Sequence, residues 1–359
     1  MIIIKKLILP ALAIIISGCI EPNEENIWSI DLIATYSTGG FCRNVSVSNN
    51  LAYVAAGQQG VQVWDLNTGI KLNEFFGYYN SSLYQEFEDI AIVQPEEINN
   101  LLFVNESNEA VLVFLFDDPN ELTYRGTIMS ARTKDFISFP SVEENDRFYM
   151  MAADNDDGLK YHKYYPDTTI NPITGTNIFW EPIIDIGGEN STEGKPLGID
   201  SDGISKVAMA VDQLGVELYS FDSLGSDLLL QSKYDLEGNA EQVKLTEEGV
   251  FVSCDDAGAY FLPISAYTGA DVENSIIHFA EDLTVDHISV KNGIAVLSIG
   301  SKGVALYDIS DPLNPEPRGI FDIGYVYRSQ FWNNRLLLCT RSVPVSYSTV
   351  CLLDAKKAS

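Results

Sequence analysis

Short apolar runs alternate along the chain with clusters of Gly, Asn, Asp and Ser. Beyond the first eighteen residues no stretch sustains the three-to-four-residue spacing of an amphipathic helix. The runs recur as a set. One pattern appears as GVQVWDL from Gly60, AVLVFLF from Ala110, GLKYHKY from Gly158, GVELYSF from Gly215, GAYFLPI from Gly258, GVALYDI from Gly303 and TVCLLDA from Thr349, at steps of about 50, 48, 57, 43, 45 and 46 residues. A β-rich partner precedes each copy, among them LAYVAAG at Leu51, KVAMAVD at Lys206 and RLLLCTR at Arg335. The links between partners, such as GQQG, DNDDG and GSKG, are hairpin signals. A third, short strand comes before each pair, and an outer strand follows six of the seven.

The pattern predicts an all-β fold: a seven-bladed β-propeller of four-stranded antiparallel blades over residues 28–355. A single sheet of this size cannot bury both faces, whereas seven packed around an axis can. The seventh copy lacks an outer strand. NIWSIDLIATY, residues 26–36, has outer-strand character and no blade of its own, so the N-terminal strand is expected to complete the last blade and remove two free sheet edges.

The first residues change the picture of location. Lys5 and Lys6 precede an apolar run that ends in ISGC at Cys19, which describes an export signal over residues 1–18. Ile16 to Cys19 resembles the lipobox of bacterial lipoproteins. That resemblance implies lipidation of Cys19 and anchoring to the bacterial cell envelope, at the outer membrane or cell surface. Residues 19–27 read as an acidic tether between membrane and domain.

The chain has 22 basic and 51 acidic residues, a formal charge of −29. Such a field disfavours nucleic acid as a partner and favours cations and cationic surfaces. Of the five cysteines, Cys42, Cys254, Cys339 and Cys351 lie beyond the leader and show no CxxC spacing, so a zinc site is not expected. A cross-strand disulfide between Cys339 and Cys351 is one reading, buried free thiols the other.

GVALYDISDPLNPEP, residues 303–317, preceded by GIAVLSIGSK, resembles the LVIVD repeat, a β-propeller motif of secreted or surface proteins of bacteria and archaea. Residues 293–323 match it nearly throughout. VWD in the first copy also resembles a WD40 blade. The resemblance implies a propeller and supplies no activity.

Propellers bind ligands at the mouth of the central channel. Repeat alignment sets one residue per copy at the entry to the innermost strand: Asn44, Asp89, Asp135, Gly198, Gln242, His287 and Gln330, flanked by Arg43, Glu88, Lys134, Glu241 and Asp286. This ring either hydrates the axis or holds a small polar ligand or cation. Asp286 and His287 form the one adjacent acid and imidazole pair. Asp154, Asp156 and Asp157 in DNDDG are similar to carboxylates of calcium-binding loops, although the spacing departs from D-x-D-x-D-G, so calcium is the one candidate cofactor. Trp64, Trp180 and Trp332 are expected in the core between blades. The tyrosine-rich segments 77–89 and 164–180 are candidates for macromolecular contact or for covering sheet edges. No catalytic residue is assigned. The expected function is a non-enzymatic, lipid-anchored binding scaffold whose partner is an envelope protein or a surface glycan. The alternatives are a propeller hydrolase or lyase using acids at the channel mouth, and an outer-membrane assembly factor.

Overall fold

The computed structural model describes residues 28–107, 109–129, 132–142, 144, 146–170, 172–175, 177–222, 228–268, 272–341 and 348–356. The leader, Cys19 and the tether therefore lie outside the described residues.

Strand β1 (Ser29–Ser37) opens the fold. Six antiparallel four-stranded sheets then follow, each from strands taken in chain order. They are β2 (Asn44–Ser48) to β5 (Ile70–Phe75), with β3 (Leu51–Ala55) and β4 (Val61–Asp65) between; and β8 (Ile90–Glu96), β9 (Leu101–Glu106), β10 (Val111–Leu115) and β11 (Thr123–Ile128). The hairpin of β6 (Gly77–Asn80) and β7 (Leu83–Glu86) lies between these two sheets in the chain. The third sheet has β12 (Thr133–Pro140), β13 (Phe148–Asp154), β14 (Gly158–Ile170) and β15 (Asn177–Asn190); the fourth has β16 (Gly198–Ser201), β17 (Lys206–Ala210), β18 (Val216–Phe221) and β19 (Leu228–Tyr234). The fifth comprises β20 (Gln242–Leu245), β21 (Gly249–Ser253), β22 (Ala259–Pro263) and β23 (Ile277–Phe279); the sixth comprises β24 (His287–Lys291), β25 (Ile294–Ser298), β26 (Val304–Asp308) and β27 (Glu316–Phe321).

A further four-stranded sheet is composite. It runs in the order β1, β30 (Ser348–Lys356), β29 (Arg335–Arg341), β28 (Tyr325–Trp332), so the first strand pairs with the last. The ladder extends from Ser29 opposite Lys356 to Ser37 opposite Thr349, with a shift between Leu32 and Ala34. The innermost strands neighbour one another in sequence around an axis, and β28 neighbours both β24 and β2. The result is an all-β propeller of four-stranded antiparallel blades.

Packing follows from the strand period. In a blade buried on both faces, successive side chains enter the cores on either side, so β3, β9, β13, β17, β21 and β25 are apolar at nearly every position. One cluster joins Ala208, Val216 and Leu218 to Val243, Val252 and Leu262 of the next sheet. Another joins Val296, Val304 and Leu306 to Trp28, Val326, Leu336 and Leu338, with the composite sheet on one side. A third joins that sheet to the first, where Trp332, Leu337 and Cys339 meet Val45, Val54 and Trp64. Trp64 and Trp332 thus lie in the inter-blade core, as expected, while the side chain of Trp180 lies outside the described residues.

The repeated glycine has a physical cause. Gly303 sits at φ +90°, and a Cβ there would come within 2.1 Å of the Phe321 carbonyl oxygen on the outer strand. Gly60, Gly158, Gly215 and Gly258 occupy the same place in their blades, each at positive φ and each closed against an outer-strand or following carbonyl.

Cys339 is a buried free thiol, the second of the two readings and not the disulfide. It stands opposite Val350, while Cys351 stands opposite Leu338. That one-residue offset puts the two positions on different faces of the sheet. Cys42 and Cys254 are also buried.

Candidate channel site

The innermost strands line a polar channel. Pairing within each blade fixes which residues share a level. Asn44 lies opposite Ala55, Asp135 opposite Ala153, Gly198 opposite Ala210, Gln242 opposite Ser253 and His287 opposite Ser298. In the composite sheet the residue at that level is Arg328, opposite Cys339. Gln330 lies opposite Leu337, two residues further along. In the second blade the level is held by Ile92, opposite Asn105, after a bulge between Ile90 and Ile92. Asp89 precedes that strand and forms an exposed ion pair with Arg43 at 3.0 Å. Five of the seven expected entry residues therefore share one level, and Asp89 and Gln330 do not. Both strands pair without a break between that level and their hairpins, so the errors are ones of extent: β28 begins at Tyr325, before the expected Gln330, and the β8–β9 turn spans residues 97–100 where the first blade has only 49–50.

Gly198 permits the contact that spans this level. Gln242 Nε2 donates to Asp135 Oδ2 at 2.8 Å, reaching past the fourth blade to the third. A Cβ on Gly198 would lie 2.8 Å from Gln242 Oε1 and 2.6 Å from the Glu241 carbonyl oxygen. Asp135 also accepts the backbone N–H of Phe136 at 3.0 Å and of Ile199 at 3.3 Å. Burial pushes its carboxyl pKa up, against the opposing effects of Arg328 and the three donors.

Further down, serines and amides tie neighbouring innermost strands together. Ser46 Oγ donates to the Val93 carbonyl at 2.6 Å, Gln94 Nε2 to the Ser138 carbonyl at 3.3 Å, and Ser289 Oγ to the Ser329 carbonyl at 2.7 Å. Lys244 pairs with Asp200 at 2.8 Å, and the same carboxylate accepts the Leu245 N–H. These residues escaped the repeat alignment, which took one position per strand. The two-residue period of a strand, counted on from Asn44, Gln242 and His287, would have found Ser46, Lys244, Ser289 and Lys291.

Two cavities lie along the channel. One, of about 490 Å³, is lined among others by Asn44, Ser46, Gln94, Glu96, Glu97 and Asp135. The other, of about 290 Å³, is lined among others by Gln242, Lys244, His287, Lys291, Arg328 and Gln330. His287 is held well below its ordinary pKa by burial first and then by Arg328 and Lys244, so its ring is neutral. The Asp286 and His287 pair does not form. Asp286 is influenced by Asp255 and Asp256, whereas His287, the first residue of β24, is influenced by Arg328 and Lys244. Burial and those two acids raise Asp286 to about 6. Glu241 is raised by burial and by Asp255, Asp212 and Asp286.

The proposed calcium loop is a closed hairpin turn. Asp154 Oδ1 accepts the N–H groups of Asp156 and Asp157, both at 3.0 Å; Asp156 pairs with Arg132 and Asp157 with Lys160. Asp154 Oδ1 is spent on the turn and Asp156 and Asp157 on cations, while Asp154 Oδ2 is buried with no hydrogen-bond partner; among the described residues no group of three or more potential ligands converges. The tyrosine-rich segments act partly as cover. Tyr78 packs on Phe87, Phe114 and Tyr124, and Tyr164 is buried with its hydroxyl 2.6 Å from His162 Nδ1. Tyr79 and Tyr84 remain exposed, paired on the β6–β7 hairpin.

No protein-family model matches the chain, and no curated protein matches its sequence. Solved structures do match in shape. The WD40 repeats of RRP9 superpose with a TM-score of 0.65 at 11% identity, covering 91% of this chain and 100% of that one. U3-55K matches at 0.64 and 10%, covering 90% and 98%, and the computationally designed Ika8 protein at 0.58 and 12%, covering 90% and 100%. At such identities the likeness is one of fold.

Proposed function

We propose that this chain is an exported, lipid-anchored, seven-bladed propeller of the bacterial envelope that acts as a binding scaffold, with LVIVD-type repeats worn down in most blades. The observation that carries the binding role is the channel belt. Side chains tie neighbouring innermost strands there in fixed hydrogen bonds, and Gln242 to Asp135 joins two non-adjacent blades, so a polar surface is organised before any ligand arrives. Six sheets of consecutive strands and the composite sheet support the count of seven. The lipobox-like ISGC and the short acidic tether support anchoring at Cys19, since two or three acyl chains at about 0.8 kcal/mol per buried methylene hold a protein on a membrane.

Fractionation and capture test this reading together. The full chain is expected in the membrane fraction, and Cys19→Ser is expected to be soluble and still to capture the same envelope partner. Persistence of Cys19→Ser in the membrane would overturn the anchor. Failure of the anchored protein to retain any envelope protein or surface glycan would overturn the scaffold.

A further inference from the structure

The two cavities of the channel differ in charge. Three carboxylates, Glu96, Glu97 and Asp135, line the first against one cation, Lys244. Three cations, Lys244, Lys291 and Arg328, line the second against one carboxylate, Asp200. In a chain where acids outnumber bases by 51 to 22, such a reversal needs a cause. Only Lys244 of the three has its charge matched directly, by Asp200 at 2.8 Å. Arg328 acts through space on Asp135 and Glu241 without pairing to either, and Asp135 is already held by Gln242, Ile199 and Phe136. Among the described residues neither Arg328 nor Lys291 forms an ion pair. Holding β24 to β28 does not require them, because neutral Ser289 and Ser329 already tie those two strands together.

We propose that the second cavity binds a small anion bearing carboxylate or phosphate oxygens, held by Arg328 and Lys291. The planar guanidinium offers paired N–H donors matched to an oxyanion, and the ammonium adds a point charge. The neutral His287 ring supplies a further donor: its Nδ1 faces the Ser329 N–H at 3.5 Å, which leaves the Nε2–H for the ligand. The three residues come from β24 and β28, adjacent innermost strands of consecutive sheets, so the site is built by their packing side by side. The acidic first cavity steers an anion to this side of the channel. The proposal rests on the channel as a binding surface and adds the class of ligand.

Calorimetric titration of the full chain at low ionic strength with inorganic phosphate, and separately with succinate, tests it, with sodium chloride as the control for ionic strength. Saturable binding of at least one probe is expected, weakened about tenfold or more in Arg328→Gln and in Lys291→Gln. Phosphate alone binding would point to a phosphate monoester, succinate alone to a dicarboxylate. No saturable binding, or unchanged affinity in both variants, would overturn the site. Lys291→Gln keeps the test open should Arg328→Gln fold poorly. Partner capture that persists without anion binding would refute this ligand and leave the scaffold standing; loss of capture with anion binding intact would do the reverse.

Discussion

Gly303 and its counterparts show what the repeat preserves at the scale of one residue. The glycine is fixed by a carbonyl 2.1 Å from where its Cβ would stand, together with a left-handed backbone. Gly303→Ala is therefore expected to destabilise the fold by about 2–3 kcal/mol, read as a lowered urea midpoint with unchanged slope. Asp286 gives a second test. Its carboxyl is raised from 3.8 to about 6 by burial and by Asp255 and Asp256, so the folded chain holds a proton that the unfolded chain has released between those values. Stability from this group must fall as pH rises through that window. Asp286→Asn should thus exceed the parent by about 1–2 kcal/mol above pH 7 and match it below about pH 4, in melts across pH. Single residues at the channel were only partly legible in the sequence. Asn44, Asp135, Gly198, Gln242 and His287 were found because their strands begin where the repeat spacing sets them, whereas Arg328 was missed because β28 begins at Tyr325, well before the apolar pattern at Gln330 that marks it in the sequence. The sense of a charge was also out of reach: the chain is acidic as a whole, and only folding gathers Lys244, Lys291 and Arg328 in one wall.

At the scale of the element, strand identity was readable because the alternation of apolar and polar positions is the same physics that packs each blade. β1 is the clearest instance. Its outer-strand character and lack of a local partner anticipated pairing with β30, which the ladder from Ser29 to Ser37 bears out. A chain beginning at Gly39 should lose that ladder along with buried Trp28 and Tyr36, at 5% and 4% exposure. Each such side chain is worth about 1.5–3 kcal/mol when buried. The shortened chain is expected to melt well below the parent, by ten degrees or so on the scale of these losses; equal melting of the two would refute a structural role for β1. Disulfide reach was not legible, because it depends on register, and a one-residue offset separates Cys339 from Cys351 in a way that no spacing reveals. Loop chemistry failed similarly at Asp154, whose carboxylate folds back on its own turn.

For the whole molecule, the propeller follows from a count of copies and from the need of each sheet for neighbours on both faces. Function does not follow from the count, since solved propellers at 10–12% identity share the shape alone. The composite sheet carries one more consequence. Ser29 and Lys356 are partners across a single ladder, so the two ends of the described chain lie side by side. No blade is privileged as the first. A short linker across that gap, with the polypeptide reopened between β23 and β24, would keep every strand pairing and merely move the seam to another spoke.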